Sequence, residues 1–473
     1  MRHDKREAGP DRRPHVVVVG AGFGGLSAAK RLARAPVDVT LIDRRNHHLF
    51  QPLLYQVATA ALSPADIAAP IRAVLKAGRR PNLTVLLDEA TGIDVAGRRV
   101  LTRDGAETRY DALVLATGSE FAYFGHDDWA RFAPGLKSVE DAVEIRRRVL
   151  LAFERAETSG RRMGEAERRR LLTFAVIGGG PTGVEMAGAL IELARATLAR
   201  DFDHIDPAAA RVVLVEAGPR LLAGFPERLG AYARGALERM GVEVRTDAPV
   251  EAIDADGVSA GGERVPAATV IWCAGVAATP VARWLGVEPE RGGRVRVEPD
   301  MSLPGHPEIF VIGDAAQAAG PDGEPLPGLA PVAKQQGRHV ADTIAARAAG
   351  RPPPAPFRYR DWGSMATVGR SAAVGLFGRA QVTGLGAWLL WGIVHIAYLI
   401  GFRNRAVVAV NWLWAWATYA KGARLITGRD PGRDAGQEPG CDPAPEGADA
   451  REGAERARET EMEEESSDAT QWA

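Results

Sequence analysis

Val16-Val17-Val18-Val19 runs directly into Gly20-Ala21-Gly22-Phe23-Gly24-Gly25. Four consecutive β-branched residues read as a strand buried on both faces. The glycines at positions 1, 3 and 6 of the following loop give a tight turn and a close backbone approach. They also allow close helix–strand packing. A helix pattern begins at Leu26 to Leu32, and its N-terminus adds positive potential beside the loop's N–H groups. Val37-Asp38-Val39-Thr40-Leu41-Ile42 reads as the next strand and ends at Asp43, an acid placed to accept hydrogen bonds from an adenosine ribose. Strand, loop, helix and acid together define a Rossmann unit with Gly20, Gly22, Gly25 and Asp43 at a dinucleotide.

The pattern recurs. Phe174-Ala175-Val176-Ile177 runs into Gly178-Gly179-Gly180-Pro181-Thr182-Gly183, with a helix expected through Leu198 and a strand Arg211–Val215 ending at Glu216. Gly178, Gly180 and Gly183 take the loop roles. Glu216 would repel a 2′-phosphate and so favours NADH over NADPH, although Arg220, four residues on, is a residue type that accepts that phosphate. Two such units in one chain suit electron passage between two nucleotides. Leu113–Gly118 and Val270–Gly275 are strand-to-glycine endings that would close each unit and mark crossovers, with Thr117 and Gly118 at the first. Ile309-Phe310-Val311-Ile312-Gly313-Asp314 suggests that the chain returns to finish the first unit, Asp314 bonding a ribityl hydroxyl of FAD.

These readings predict an α/β chain with two Rossmann-like domains, the FAD domain split in sequence and the NADH domain inserted. The expected parts are FAD-binding 14–120 and 286–350, a connection 121–171, and NADH-binding 172–285. A C-terminal membrane-associating helical region 357–429 and a disordered acidic tail 430–473 follow. The tail carries 14 acids against 4 arginines, leaving the rest of the chain at +9. The two cysteines, Cys273 and Cys441, make neither a redox pair nor a metal cluster, which speaks against a disulfide oxidoreductase and fits a reducing compartment. No metal site is expected. Acids dilute the arginine runs 146–148 and 168–170, so no nucleic-acid partner is expected either. Met1–Pro14, charged and proline-bearing, does not read as a signal peptide.

Beyond the proline-rich linker Arg351–Pro356 the composition turns apolar. Gly384–Phe402 has only His395 as an ionisable residue. Arg403-Asn404-Arg405 interrupts, and a second apolar run follows from Ala406 to Ala420; five of the ten tryptophans fall here. On a helix Trp388, Trp391, His395, Tyr398 and Phe402 share one face, suited to the headgroup level of a bilayer. Three arrangements are open: a transmembrane hairpin, helices lying in one leaflet, or a soluble core or homodimer interface. The first run reaches roughly 28 Å and the second only roughly 22 Å. Cations at the helix ends favour leaflet association.

With these residues in hand, the chain from about 14 to 429 resembles a type II NADH:quinone oxidoreductase of the two-dinucleotide-binding flavoprotein superfamily. The double loop carries the resemblance, with His47–Thr59, Gly178–Ala187, Ile309–Asp314, Ala333–Gly337, Asp361–Gly369 and Gly401–Arg405. It implies FAD in the first domain, NADH at the second and a membrane quinone reached through the C-terminal helices. It also implies peripheral attachment at the cytoplasmic face of the inner membrane, with no proton pumping. Hydride would pass from NADH to FAD, then two electrons to quinone. Glu185 is assigned a role near nicotinamide or ribose, against the plainer reading of an acid favoured by the helix dipole. Gln335, perhaps with Gln336, is assigned to quinone oxygen, against ordinary helix positions. Two departures stand out: Pro331 occupies the first Gln of the family's Ala-Gln-x-Ala-x-Gln, and Trp362 stands where Lys is frequent. The rivals are a soluble NADH-dependent ferredoxin or electron-carrier reductase and a flavin-binding redox sensor or scaffold.

Overall fold

The computed structural model describes residues 12–159, 162–418 and 422–427. The described residues up to Ile426 form one compact unit; the acidic tail 430–473 lies outside the described residues. Two sheets organise the chain, the first parallel except for its antiparallel edge strand Ser302–Leu303 and the second wholly parallel. The first has the strand order Ser302–Leu303, His306–Val311, Ala112–Leu115, His15–Val19, Asp38–Asp43, Leu83–Leu87. His15–Val19 sits at its centre because its valines are apolar on both faces, and Val16, Val17 and Val18 have no solvent exposure. It pairs in parallel with Asp38–Asp43 (Val17 opposite Thr40) and with Ala112–Leu115 (Val17 opposite Leu113). His306–Val311 then pairs in parallel with Ala112–Leu115, so the chain does return to the first sheet after the whole second sheet has been laid down.

The second sheet has the order Glu243–Arg245, Arg211–Val215, Thr173–Ile177, Thr269–Trp272, all parallel. Each of the two sheets has a three-stranded antiparallel ribbon in its stretch of chain: Ala90–Asp94, Arg99–Thr102 and Glu107–Arg109 with the first, Val250–Asp254, Gly257–Ala260 and Glu263–Pro266 with the second. The crossovers meet: Ser119–Phe121 pairs antiparallel with Val276–Ala278, and Thr117 Oγ1 lies 2.6 Å from Thr279 Oγ1.

Helix Ala330–Ala348 packs on helix Phe23–Leu32, and small residues make this contact possible. A Cβ on Gly337 would strike the Gly24 backbone oxygen, and one on Gly24 would lie 3.2 Å from the Ala333 oxygen.

The C-terminal region departs from the sequence expectation in two ways. The helices are Gly384–Tyr398 and Phe402–Thr418, so Arg403-Asn404-Arg405 opens the second helix rather than interrupting the pair. The break lies at Leu399–Gly401: Leu399 is extended, and Gly401 takes φ +90°, a conformation that only glycine adopts without strain. The aromatic face also turns inward at its centre. Trp391 is 2% exposed, stacked on His395 at 4.2 Å and on Trp412 at 5.2 Å between centroids. The outward face mixes aliphatic and aromatic residues, with Ile393 67%, Leu413 70% and Trp414 64% exposed, and Phe402 stands 88% exposed at the turn. The stacked rings of Trp391, His395 and Trp412 gain from packing on one another as well as from burial. Among the described residues no helix is long and apolar enough to cross a membrane, which removes the hairpin reading for them.

Candidate functional site

The two glycine loops are built alike. Gly20 and Gly178 take φ +94° and +107°. Their turns close on backbone, because a Cβ there would strike Ala116 or the Cys273–Ala274 peptide. A Cβ on Gly25 would run into the Gly20 oxygen, and one on Gly183 into the Gly178 oxygen, so the third glycine of each loop seats its helix on its strand. Gly22 and Gly180 differ: a Cβ at either meets nothing within 4 Å. They cap the helices Phe23–Leu32 and Pro181–Glu192, whose first-turn N–H groups have no partner within the helix (Pro181 itself carries none). The open space at Gly22 and Gly180 is the room a pyrophosphate needs.

The two acids act on their own loops. Asp43 accepts hydrogen bonds from the Ala21 N–H (2.5 Å) and the Arg45 N–H (2.7 Å). Glu216 accepts from the Gly179 N–H (2.5 Å) and the Gly218 N–H (2.7 Å). Burial pushes the Asp43 carboxyl above its usual range, and the two amides oppose that. The side chain of Arg220, the residue that left coenzyme choice open, is turned onto the Phe225 and Ala223 oxygens.

The returning strand leads into Gly313, at φ +71°, followed by Asp314. Asp314 Oδ2 accepts from the Ser119 hydroxyl (2.6 Å), and Lys137 donates to that same hydroxyl oxygen. Burial lowers the Lys137 ammonium pKa, opposed by Asp314, Glu120 and Asp141. Gln336 is buried, and its Oε1 accepts the Gly313 N–H at 2.7 Å, holding the Gly-Asp turn. Gln335 instead clips the Arg360 backbone with both amide atoms, donating to its oxygen (2.9 Å) and accepting from its N–H (3.0 Å). The two glutamines share the helix Ala330–Ala348, the plainer reading that the sequence analysis set against a quinone contact, and the structure gives them separate partners. Trp362 stacks on Tyr398 at 6.1 Å.

A cavity of about 110 Å³ lies where the second loop's helix meets the C-terminal pair. Glu185, Tyr55, Gln56 and Thr367 form its polar wall; Trp388, Trp391, Trp412 and Trp416 form its aromatic wall. The helix starts at Pro181, so Glu185 stands in its second turn, beyond the reach of the dipole argument. The helix ends in a π-turn, Leu193–Thr197, rather than running evenly to Leu198, and this swing brings Ala196 and Thr197 into the cavity wall. Burial raises the Glu185 carboxyl to about 8, opposed by bonds from the Thr367 N–H (3.2 Å) and hydroxyl. Cys273 is half-buried, and desolvation pushes its thiol up to about 12, so it is protonated at neutral pH.

Sequence reading missed Ser119 and Lys137, and quoted Tyr55, Gln56 and Thr367 without roles. Their partners lie up to 312 residues away, and no local spacing announces that.

Two glycine loops with carboxylate clamps, a split first sheet and a crossover ribbon define a two-dinucleotide oxidoreductase. The match to the pyridine nucleotide-disulphide oxidoreductase model spans residues 14–337. The chain is 46% identical over 435 residues to a type II NADH:quinone oxidoreductase of Mycobacterium tuberculosis, covering 89% of this chain and 92% of that one. It is 31% identical to a Staphylococcus haemolyticus protein of the same name, covering 79% and 92%. An NDH2 structure from Plasmodium falciparum in complex with NADH has a similar fold: TM-score 0.78, 18% identity, 88% and 100% covered. The chain belongs to the pyridine nucleotide-disulphide oxidoreductase family and, within it, to the type II NADH:quinone oxidoreductases.

Proposed function

We propose that this chain uses one FAD to transfer a hydride from NADH and then two electrons to a membrane quinone, without proton pumping. The observation that carries the reading is the cavity, which has Glu185 at one end and the C-terminal helices, apolar on their outer faces, at the other. The open space at Gly22 and Gly180 fits two dinucleotides. FAD, when bound, supplies the two-electron exchange. Gly20, Gly22, Gly25, Asp43, Thr117, Gly118, Gly313 and Asp314 are assigned to it, and Gly178, Gly180, Gly183 and Glu216 to NADH. Glu185 holds a proton at its carboxyl in the neutral range, beside the cavity where a reduced quinone oxygen needs one. Gln336 orients the Gly313–Asp314 turn, and Gln335 fixes the segment entering the C-terminal region.

We assign residues 286–350 to the domain begun by 14–120, with 172–285 inserted; the parallel pairing of His306–Val311 with Ala112–Leu115 supports this assignment. The outer faces of the two C-terminal helices are assigned to a bilayer surface on the cytoplasmic side, with a homodimer through the same region as the second occupant. A soluble electron-carrier reductase would have no use for this face.

The test is steady-state oxidation of NADH and NADPH by the FAD-loaded protein with a short-chain quinone, with and without anionic vesicles. NADH supports turnover, NADPH does so weakly, and vesicles sediment the protein. Equal turnover without quinone overturns the reading.

A further inference from the structure

A chain of hydrogen bonds leaves the C-terminal helix pair and ends at Glu185. Trp412 Nε1 donates to Gln56 Oε1 at 2.8 Å. Gln56 Nε2 donates to the Tyr55 hydroxyl oxygen at 3.0 Å. Tyr55 lies 3.0 Å from Thr367 Oγ1; the Thr367 N–H donates to the Glu185 carboxyl at 3.2 Å, and the Thr367 hydroxyl beside it favours the ionised carboxylate. Its direction is fixed at the far end. An indole N–H only donates, so the Gln56 amide must place its oxygen toward Trp412 and its NH2 toward Tyr55. The Tyr55 oxygen thus accepts, and its own proton points on to Thr367. Thr367, receiving that proton, turns its hydroxyl hydrogen to the carboxylate. Tyr55, Gln56 and Thr367 are all buried, where a hydrogen bond acts in a lower dielectric than water.

We propose that Tyr55 and Gln56 are positioning residues for Glu185, carrying the polarity set by the Trp412 indole through Thr367 to the carboxylate. The protonation of Glu185 is thereby tied to the seating of the helix Phe402–Thr418. The link deepens the quinone reading, on which it rests, and supplies the residues that set when Glu185 releases its proton.

Among the described residues, the charged and titratable groups around Glu185 are few. Tyr55 comes from the segment after the first sheet's second strand. Glu192, further along the same helix as Glu185, accepts the Arg370 N–H at 2.7 Å. The Arg370 side chain donates to the Trp416 oxygen and lies over its ring. The C-terminal helices add only tryptophans and Ala415 to the cavity wall. The Thr367 hydroxyl is the donor to Glu185 that can turn, since the Thr367 N–H is fixed in the backbone.

The test reads the carboxyl itself. In FAD-loaded protein the Glu185 C=O infrared band is assigned by its loss in Glu185→Gln and titrated with pH, with no quinone present. Tyr55→Phe keeps the ring and removes the hydroxyl. It raises the titration midpoint by about one pH unit, the effect of disorienting one donor to a charged acceptor. Trp412→Phe, at the opposite end, raises it in the same direction by less, and Thr367→Ser keeps the wild-type midpoint where Thr367→Val does not. Unmoved midpoints in both Tyr55→Phe and Trp412→Phe overturn the proposal. If Tyr55→Phe fails to fold, Trp412→Phe decides alone. Loss of quinone turnover with a shifted midpoint supports the chain and leaves the quinone reading to its own assay.

Discussion

Gly180→Ala and Gly183→Ala lie three residues apart and should fail in opposite ways. Gly180 has φ −71° and ψ −179°, which alanine adopts without strain, and its new methyl meets no protein atom within 4 Å. Folding stability should stay within about 0.5 kcal/mol of the parent. The methyl instead fills the space in front of the helix N-terminus and keeps a phosphate from the loop amides. Losing one charge-assisted hydrogen bond costs about 1.5–3 kcal/mol, or about a 10- to 150-fold rise in the NADH dissociation constant. Gly183→Ala drives its methyl into the Gly178 oxygen, so the helix must lift off its strand, at about 1–3 kcal/mol of stability. Stopped-flow reduction of the bound flavin gives NADH affinity, and thermal melting gives stability. A Gly180→Ala protein that binds NADH as tightly as the parent, at unchanged Tm, refutes the placement of the pyrophosphate.

Other outcomes follow from single contacts. Gln336→Leu leaves the Gly313 N–H unpaired in the interior; it should cost about 1–3 kcal/mol and weaken FAD retention, read by flavin release on dilution. Glu185 titrates at about 8 in the folded chain, above the ordinary 4.5, so the native state binds the extra proton between those values. Its contribution is therefore fully present below about 4.5 and is lost as pH rises through about 8. Stability should fall by about 1 kcal/mol per pH unit in that window, and Glu185→Gln should flatten the slope in denaturant titrations. Phe402→Asp with Leu413→Asp places charge on the most exposed apolar positions; vesicle cosedimentation should drop about tenfold or more while soluble-quinone turnover persists. Deleting residues 430–473 should leave quinone reduction intact.

The Rossmann strands and loops were legible because each is encoded within about 30 consecutive residues: valine run, glycine spacing, helix, acid. The return of His306–Val311 was legible from its Gly-Asp ending. The two C-terminal helices were legible as apolar runs, but not the face they bury, because helical spacing shows that Trp388, Trp391 and His395 share a face and not whether that face meets lipid or Trp412. The glutamines illustrate the same limit. Adjacent in sequence, Gln335 and Gln336 are separated by what lies across from them, Arg360 in one case and Gly313 in the other. The cavity's polar wall joins Tyr55, Glu185 and Thr367 from three distant segments, so only the folded chain brings it together.

The twin carboxylate clamps bear on any attempt to retrain coenzyme choice. Glu216 accepts hydrogen bonds from the Gly179 and Gly218 amides. Swapping it for a neutral or basic side chain to welcome a phosphorylated ribose would also release the loop that must grip the pyrophosphate. A working redesign needs a substitute acceptor for those two amides before it needs a new cation.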